Sequence, residues 1–239
     1  MSVLLWCLSL FGWRIAEYLY IIFISGLFFI SSYLLARGLK LNEIYFYLFS
    51  INAFVLLYGL VEGTELLALA FLELFLFFLI KNRWYAGFFL GLVCLTRYPM
   101  VVFFPLVIFH KSWKIRIASA FAFVFAFIPW LIYNQIVWGN LFYSIADSYS
   151  LNILYRDYVP HVFHLASVII AANILFPLVI LGIIIFIKKR EFRRDTLIIL
   201  EAIVVTIYSV YSVKADVLRY YLPLTIPFAF FSVYAFHSF

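Results

Sequence analysis

The chain consists of long apolar segments separated by short polar ones. The apolar runs are continuous and do not alternate with period two, so they predict membrane-spanning α-helices rather than barrel strands. A helix of this kind needs about 20 residues to cross the hydrocarbon core. The pattern predicts an all-α, polytopic transmembrane bundle of about nine membrane helices, in which the 239 residues form a single domain.

The polar interruptions set the limits of seven full spans. Residues 1–13 precede them, either as an outer juxtamembrane helix or as part of a span, and residues 134–160 form the longest outer loop. The seven predicted spans are Tyr18–Ala36, Ile44–Val61, Leu66–Ile80, Ile117–Tyr133, Val162–Ile187, Thr196–Val213 and Tyr220–Phe236.

The remaining apolar stretch is interrupted at its middle by Arg97, Tyr98 and Pro99. Proline disfavours α geometry at the residue before it, and an arginine at mid-bilayer costs roughly 2.5–3.5 kcal/mol. The stretch therefore predicts two short helices, Trp84–Thr96 and Met100–Phe109, joined by a turn that carries Arg97 to one membrane face. The competing interpretation is one kinked helix with Arg97 buried inside it.

The distribution of basic residues favours the hairpin. With a hairpin, 12 of the 17 Lys and Arg residues fall on one side, whereas a single long helix gives about 7 against 9 with the larger share outside. Basic residues in short loops mark the cytoplasmic side, so Arg97 is predicted to face out. The four basic loops are Arg37–Glu43, Lys81–Arg83, His110–Arg116 and Lys188–Asp195.

Composition agrees with a membrane protein. The chain is 68% hydrophobic and 12% charged, with a mean hydropathy of +1.12, and soluble domains are typically about half apolar and a quarter charged. The net charge of +6 is accounted for by the cytoplasmic loops, so no nucleic-acid partner is expected. Cys7 and Cys94 lie in apolar segments, and neither a disulfide framework nor a Cys/His metal spacing is indicated.

Acidic residues gather on the predicted outer face, so any chemistry is expected there. Glu62 and Glu65 are three residues apart at a helix start, where they share a face near the positive end of the helix dipole. The structural interpretation is stabilisation of the helix start, with Thr64 as N-cap. The functional interpretation is a metal or general-base site that reaches a substrate at the membrane surface.

Basic residues also stand at predicted outer helix ends. Arg97, Lys214 and Arg219 lie near the interface, where an arginine fork can hold a phosphate. An arginine in a helix break can instead cap carbonyls or pair with an acid. Both interpretations stay open for Arg97 and Arg219.

Four further polar residues attract attention. Glu73 and Glu201 lie inside spans, where acids are functional by default, although Glu73 could simply pair across helices. His161 and His164 share one side of a helix start, but the sequence offers no third ligand, so no metal site is predicted there.

Several stretches together resemble a known family. They are Leu34-Leu-Ala-Arg37-Gly-Leu, Glu62-Gly-Thr-Glu65-Leu-Leu-Ala-Leu, Gly87-Phe-Phe-Leu-Gly-Leu-Val-Cys-Leu-Thr-Arg97-Tyr-Pro99, Pro129-Trp-Leu-Ile-Tyr-Asn134 with Trp138-Gly-Asn140-Leu-Phe-Tyr, and Arg219-Tyr-Tyr-Leu-Pro223-Leu. Their order over nearly the whole chain resembles membrane-embedded glycosyltransferases of the GT-C class, which include protein mannosyltransferase and aminoarabinose transferase types.

The resemblance implies transfer of a sugar from a polyprenyl-phosphate carrier to an acceptor on the outer face of the cell membrane. The expected partners are membrane lipid and the polyprenyl-phosphate sugar donor, with a divalent metal as an open option. The residues it assigns to substrate binding are Glu62, Glu65, Arg97, Tyr98, Arg219 and Tyr220. The family's catalytic Asp belongs to the first outer loop, and aligning the chain on Arg37 places that loop upstream of Met1.

Two other functions compete with the enzyme. The first is a non-enzymatic polytopic membrane protein, such as a transporter or a lipid-handling subunit, although transporters often show inverted repeats and paired broken helices. This sequence has one clear break and no convincing internal repeat. The second is an inactive remnant that folds without catalysing transfer, because the expected base is missing from the sequence.

Overall fold

The computed structural model describes residues 12–57, 64–150, 165–190, 193–212 and 218–237, and every regular element within these ranges is helical. The α-helices are α1 (Trp13–Leu39), α2 (Glu43–Ser50), α3 (Ala53–Val55), α4 (Glu65–Ile80), α5 (Ala86–Thr96), α6 (Trp113–Trp138), α7 (Tyr143–Tyr149), α8 (Leu165–Ala172), α9 (Phe176–Lys189), α10 (Arg194–Ser212) and α11 (Thr225–Phe236). Three 3₁₀ helices span Tyr98–Phe109, Asn173–Leu175 and Leu218–Leu224.

Three helical segments are long and apolar enough to cross a membrane: Arg14–Leu39, Trp113–Trp138 and Ala166–Lys189. Shorter apolar helices cover Ala86–Thr96, Tyr98–Phe109 and Tyr220–Phe236. The predicted all-α class and membrane character are therefore supported. The count of nine membrane helices and the multi-pass arrangement stay predictions.

Several predicted spans are less regular than expected. The span predicted as Val162–Ile187 is interrupted at Asn173, whose φ of 52° lies in the left-handed region that asparagine tolerates better than most residues. The span predicted to begin at Ile44 is interrupted after Ser50, because the Asn52 side chain accepts a hydrogen bond from the Val55 N–H and starts a new helix. The predicted loop at 134–160 is partly helical, since α6 continues to Trp138 and α7 follows it.

The broken helix at Arg97 is a hairpin. The Asn82 side chain, just before α5, accepts a hydrogen bond of 2.8 Å from the backbone N–H of Lys111, so the intervening chain leaves and returns to one end of the bundle. The hairpin prediction is confirmed. Its second arm is a 3₁₀ helix and not the predicted α-helix; Pro99 and Pro105 lack the N–H groups that α-helical bonding needs.

The guanidinium of Arg194 joins three segments at one end of the bundle. We call this the basic end, and it is formed by residues 79–82, residues 109–111 and Arg194. Arg194 donates from Nε to the Phe109 carbonyl at 2.7 Å, from Nη1 to the Ile80 carbonyl at 3.2 Å and from Nη2 to the Leu79 carbonyl at 2.9 Å. These carbonyls belong to helix C-termini, where intrahelical donors run out. The arginine donors therefore satisfy carbonyl groups at the C-terminal ends of both α4 and the 3₁₀ arm.

Glycines bring α5 and α6 into backbone contact. A Cβ atom built on Gly87 would lie 1.7 Å from the Ser119 carbonyl oxygen, and one on Gly91 would lie 2.4 Å from the Ala126 Cβ. Small residues at such contacts let membrane helices approach closely, where packing drives their association. The two glycines of the family-like motif therefore have a structural role in joining α5 to α6.

Another intramembrane acid is satisfied across helices. Glu73 of α4 is fully buried, and its carboxyl group contacts the hydroxyl groups of Ser31 and Ser32 on α1. The pairing across helices that the sequence left open for Glu73 is therefore present. Glu201, by contrast, is exposed on α10.

We expect Arg194→Ala to lower the free energy of unfolding by at least about 2 kcal/mol, because it leaves three helix-end carbonyls without their charged donor. Thermal unfolding in detergent micelles measures the loss. Arg193→Ala is the matched control, since Arg193 is the exposed neighbour. Equal unfolding temperatures for the two variants would contradict the role given to Arg194.

His110 lies in the turn of the basic end, buried beside two arginines. Asn82 Oδ1 faces its Nδ1 at 3.3 Å, whereas its Nε2 has no partner among the described residues. Burial first, and then the charges of Arg194 and Arg116, lower the pKa of His110 to about 4. The folded protein therefore holds this imidazole neutral, with its proton on Nδ1 facing Asn82.

The lowered pKa of His110 predicts loss of stability on mild acidification. Between pH 6.5 and about 4, His110 binds a proton in the unfolded chain but not in the folded chain. The contribution of His110 to stability is therefore fully present above pH 6.5. We expect a loss of up to about 3 kcal/mol across this window. Chemical unfolding at stepped pH measures it. His110→Gln should remove this part of the slope, and an unchanged slope would show that other groups cause it.

Candidate functional site

The site forms where α4 begins and the hairpin turns, at the end of the bundle opposite the basic end. Arg97 lies between α5 and the 3₁₀ arm with extended backbone angles, φ −148° and ψ 101°. Its Nη1 forms an ion pair with Glu65 Oε1, and both side chains are largely buried, at 11% and 3% exposure. Of the interpretations left open for Arg97, the structure shows the pairing with an acid, and that acid is Glu65.

Thr64 holds the other carboxylate oxygen of Glu65. Its backbone N–H and its hydroxyl group both donate to Glu65 Oε2, at 3.2 and 3.1 Å. Thr64 occupies the predicted N-cap position of α4, although its side chain accepts no capping hydrogen bond. The hydroxyl instead serves the carboxylate, whose negative charge lies near the positive end of the α4 dipole.

Aromatic rings flank the ion pair on two elements. The Arg97 guanidinium carbon lies 5.6 Å from the centroid of the Tyr220 ring, a cation–π distance. Tyr220 is buried, in the 3₁₀ helix that precedes α11. Tyr98 packs against Trp130 of α6, with ring centroids 5.7 Å apart. The turn therefore contacts three elements. Arg97 reaches α4 and the 3₁₀ helix that contains Tyr220, and Tyr98 reaches α6.

The structure brings together only part of the predicted set of site residues. Glu65, Arg97 and Tyr220 meet, and Tyr98 is adjacent in sequence. Arg219 precedes Tyr220 in the same 3₁₀ helix, and its side chain is not described. Glu62, Lys214, His161 and His164 lie outside the described residues.

Space beside the ion pair is limited. The cavity there has a volume of about 10 Å³, enough for no more than one water molecule. It is lined by Glu65, Ala68, Leu69, Leu72, Arg97, Met100, Leu222 and Pro223. In this conformation the site is closed.

Among the described residues, metal ligands do not converge on Glu65. Within the described ranges, no group of three or more His, Cys, Asp or Glu side chains is placed to hold a metal ion. Both oxygens of the Glu65 carboxylate are engaged by Arg97 and Thr64. The arrangement around Glu65 is that of a charge-neutralised, hydrogen-bonded pair.

Sequence reasoning missed an apolar groove next to the site. It has a cavity volume of about 560 Å³ and is lined by Val101, Val102, Phe104, Pro105, Phe123, Val204, Val205 and Tyr208. Its first wall begins four residues after Arg97 on the 3₁₀ arm, about 8 Å along the axis. The two prolines of this arm indicate in the sequence that the α-helix is broken. Nothing in the sequence indicates that the arm packs against α10.

No family model, curated protein or solved structure matches this chain significantly. The class of protein is therefore defined by what the structure itself shows. Over the described residues it is all-helical, with three helices long and apolar enough to cross a membrane and a buried arginine–glutamate pair at one end of the bundle.

The Glu65–Arg97 pair predicts strong non-additivity. Removing one partner from a buried ion pair leaves an uncompensated charge, so Glu65→Gln and Arg97→Gln should each lower the free energy of unfolding by about 3 kcal/mol. The double variant carries no buried charge and should recover all but about 1 kcal/mol. Unfolding in detergent measures the cycle, with exposed Arg83→Gln as control. Additive losses would show that the two side chains act independently.

Proposed function

We propose that the protein is a GT-C-type membrane glycosyltransferase, which transfers a sugar from a polyprenyl-phosphate carrier to an acceptor on the extracytoplasmic face of the cell membrane. The observation that carries this proposal is the position of Arg97. It stands in a helix break at the end opposite the basic end, with a tyrosine over its guanidinium and an acid beside it. Such a cation suits a lipid phosphate at the interface.

The apolar groove supports a lipid substrate of this kind. A carrier whose phosphate lies at Arg97 would have its isoprenoid chain next to Val101 and Val102, where the groove begins. The groove is mainly apolar and within the usual size range for small-molecule sites, roughly 300–1,000 Å³. Charged headgroup and apolar tail would thus contact neighbouring parts of one element, the 3₁₀ arm.

In the proposed mechanism, Arg97 stabilises the negative charge that develops on the phosphate as the sugar leaves. The aromatic rings of Tyr98 and Tyr220 flank the carrier or its sugar, and Arg219 lies next to Tyr220 in sequence. Glu65 helps bind the acceptor or a metal once Arg97 has turned to the phosphate, with Glu62 in a lesser role. The resemblance assigns the general base to an Asp of the family's first outer loop, and no described residue is given that role here.

The closed ion pair favours a second candidate function. Because Glu65 occupies Arg97 and the adjacent cavity admits at most about one water, the pair also suits a purely structural closure. The protein would then be a non-enzymatic membrane protein, such as a transporter or a lipid-handling subunit. Binding and transfer therefore need separate measurements.

We expect a polyprenyl phosphate with a photoreactive chain to label the protein in lipid nanodiscs. The doubly neutral Glu65→Gln/Arg97→Gln variant should label about tenfold less, because a charge-assisted contact contributes about 1.5–3 kcal/mol. This variant keeps the site free of unpaired charge, so loss of labelling is separated from loss of fold. Exposed Arg83→Gln should label as the original chain does.

The controls distinguish the candidates. A photoreactive polyprenol without phosphate should label independently of Arg97, and equal labelling of all variants by the phosphate probe would overturn the proposed phosphate site. Transfer is then measured with a radiolabelled sugar on the polyprenyl phosphate. Arg97-dependent binding without transfer would favour the lipid-handling function over the enzyme.

A further inference from the structure

A second buried polar cluster lies deeper in the bundle, away from the candidate site. Glu73 is eight residues beyond Glu65 on α4, about 12 Å further along the helix axis. Its side chain is fully buried, as are those of Ser31 and Ser32 on α1. Helices α1 and α4 run in the same direction here, since Gly38, further along α1, faces Phe77 and Ile80.

The contacts of Glu73 are short and all fall on one oxygen. Ser31 Oγ lies 2.6 Å from Glu73 Oε2, and Ser32 Oγ lies 2.8 Å from the same atom. Ser31 Oγ also lies 2.9 Å from the Phe28 carbonyl oxygen. These are the distances of direct O–H···O hydrogen bonds. Glu73 Oε1 has no partner among the described residues.

Counting hydrogens limits the charge state of this cluster. A serine hydroxyl carries one hydrogen, and neither a carbonyl nor an ionised carboxylate carries any. With Glu73 ionised, Ser31 has one hydrogen for two acceptors, so its two contacts must share that hydrogen or one of them has none. With Glu73 neutral, Oε2–H donates to Ser31 Oγ, Ser31 donates to Phe28, and Ser32 donates to Oε2. Every close contact then contains a hydrogen.

The surroundings also disfavour a charge. Glu73 makes no ion pair in the described part of the chain, and the ionisable group close enough to sense its charge is the phenol of Tyr47 on α2. A carboxylate buried among apolar side chains without a counter-charge costs far more than a neutral acid. Its bare Oε1 would also carry part of that charge without any donor.

We propose that Glu73, Ser31 and Ser32 form a proton-binding site within the membrane-embedded part of the bundle, with the proton held on Glu73 Oε2. The cluster then joins α1 to α4 as a neutral chain of hydrogen bonds. The oxygen–oxygen distances are those of direct hydrogen bonds, and a proton on Glu73 Oε2 gives each of them its own hydrogen. This proposal does not depend on the proposed glycosyltransferase function.

Infrared spectroscopy of the full chain in lipid nanodiscs tests the site directly. A protonated carboxylic acid has a carbonyl stretch above the amide and carboxylate bands. We expect such a band at pH 7, at the high-frequency end of its range because Oε1 accepts no hydrogen bond from the described residues. It should move to lower frequency when the chain carries glutamate labelled with ¹³C at the side-chain carboxyl.

Matched variants assign the band. Glu73→Gln replaces the neutral acid by an amide of the same shape, so it should abolish the band and unfold at nearly the original temperature. Glu201→Gln, at the exposed acid of α10, should leave the band unchanged. The absence of an acid band in the original chain at pH 7, or its persistence in Glu73→Gln, would overturn the proposal.

A second variant covers failure of Glu73→Gln to fold. Ser31→Ala removes the acceptor of the Oε2–H bond, so the acid band should shift while Ser32 still donates to the carboxyl group. An unshifted band in Ser31→Ala would place the proton elsewhere and overturn the assignment. Glu73→Asp, which shortens the side chain by one methylene, should also shift the band if it arises from this residue.

Discussion

Apolar surroundings offer no hydrogen-bond partners, and this constraint explains the contacts of the polar groups at the helix breaks and of the two buried acids. Each break in an apolar helix exposes backbone carbonyls and N–H groups that must find partners inside the protein. Arg194 supplies donors to the carbonyl ends of α4 and the 3₁₀ arm, and the Asn52 side chain caps the start of α3 by accepting from the Val55 N–H. The buried acids meet the same demand in two ways. Glu65 has a counter-charge, whereas Glu73 has hydroxyl groups.

The candidate site follows from this constraint and not from a preformed pocket. Arg97 is carried to its end of the bundle because a proline two residues later prevents the helix from continuing. Once there it is largely buried, so it needs an anion, and α4 offers one at its first residue. The same features serve both candidate functions. An arginine neutralised by a side chain closes the bundle, whereas an arginine neutralised by a lipid phosphate binds substrate.

The sequence predicts the hairpin because an arginine and a proline at the break disfavour a continuous apolar helix there. The number of Lys and Arg residues on each side then indicates which helix ends lie at the same end of the bundle. It also predicts that Arg97 has either a phosphate or an acid as partner. It could not select Glu65, because a contact across 32 positions depends on how α4 packs beside α5. The breaks at Ser50 and Asn173 were missed for a related reason. A single asparagine leaves the hydropathy of a long apolar run continuous, so hydropathy does not reveal the breaks. Asn52 makes its break through a side-chain hydrogen bond, and Asn173 makes its break through a positive φ angle.

The closed Glu65–Arg97 pair has a thermodynamic consequence for any anion that binds Arg97. The anion must take the guanidinium from Glu65 and leave behind a carboxylate whose side chain is 3% exposed. Loss of this counter-charge favours the protonated form of that carboxylate relative to its state in the ion pair. Anion binding and proton uptake are then linked, so acidification tightens the complex even though the anion itself gains no proton. In this way the pair would make the membrane-surface pH part of the affinity.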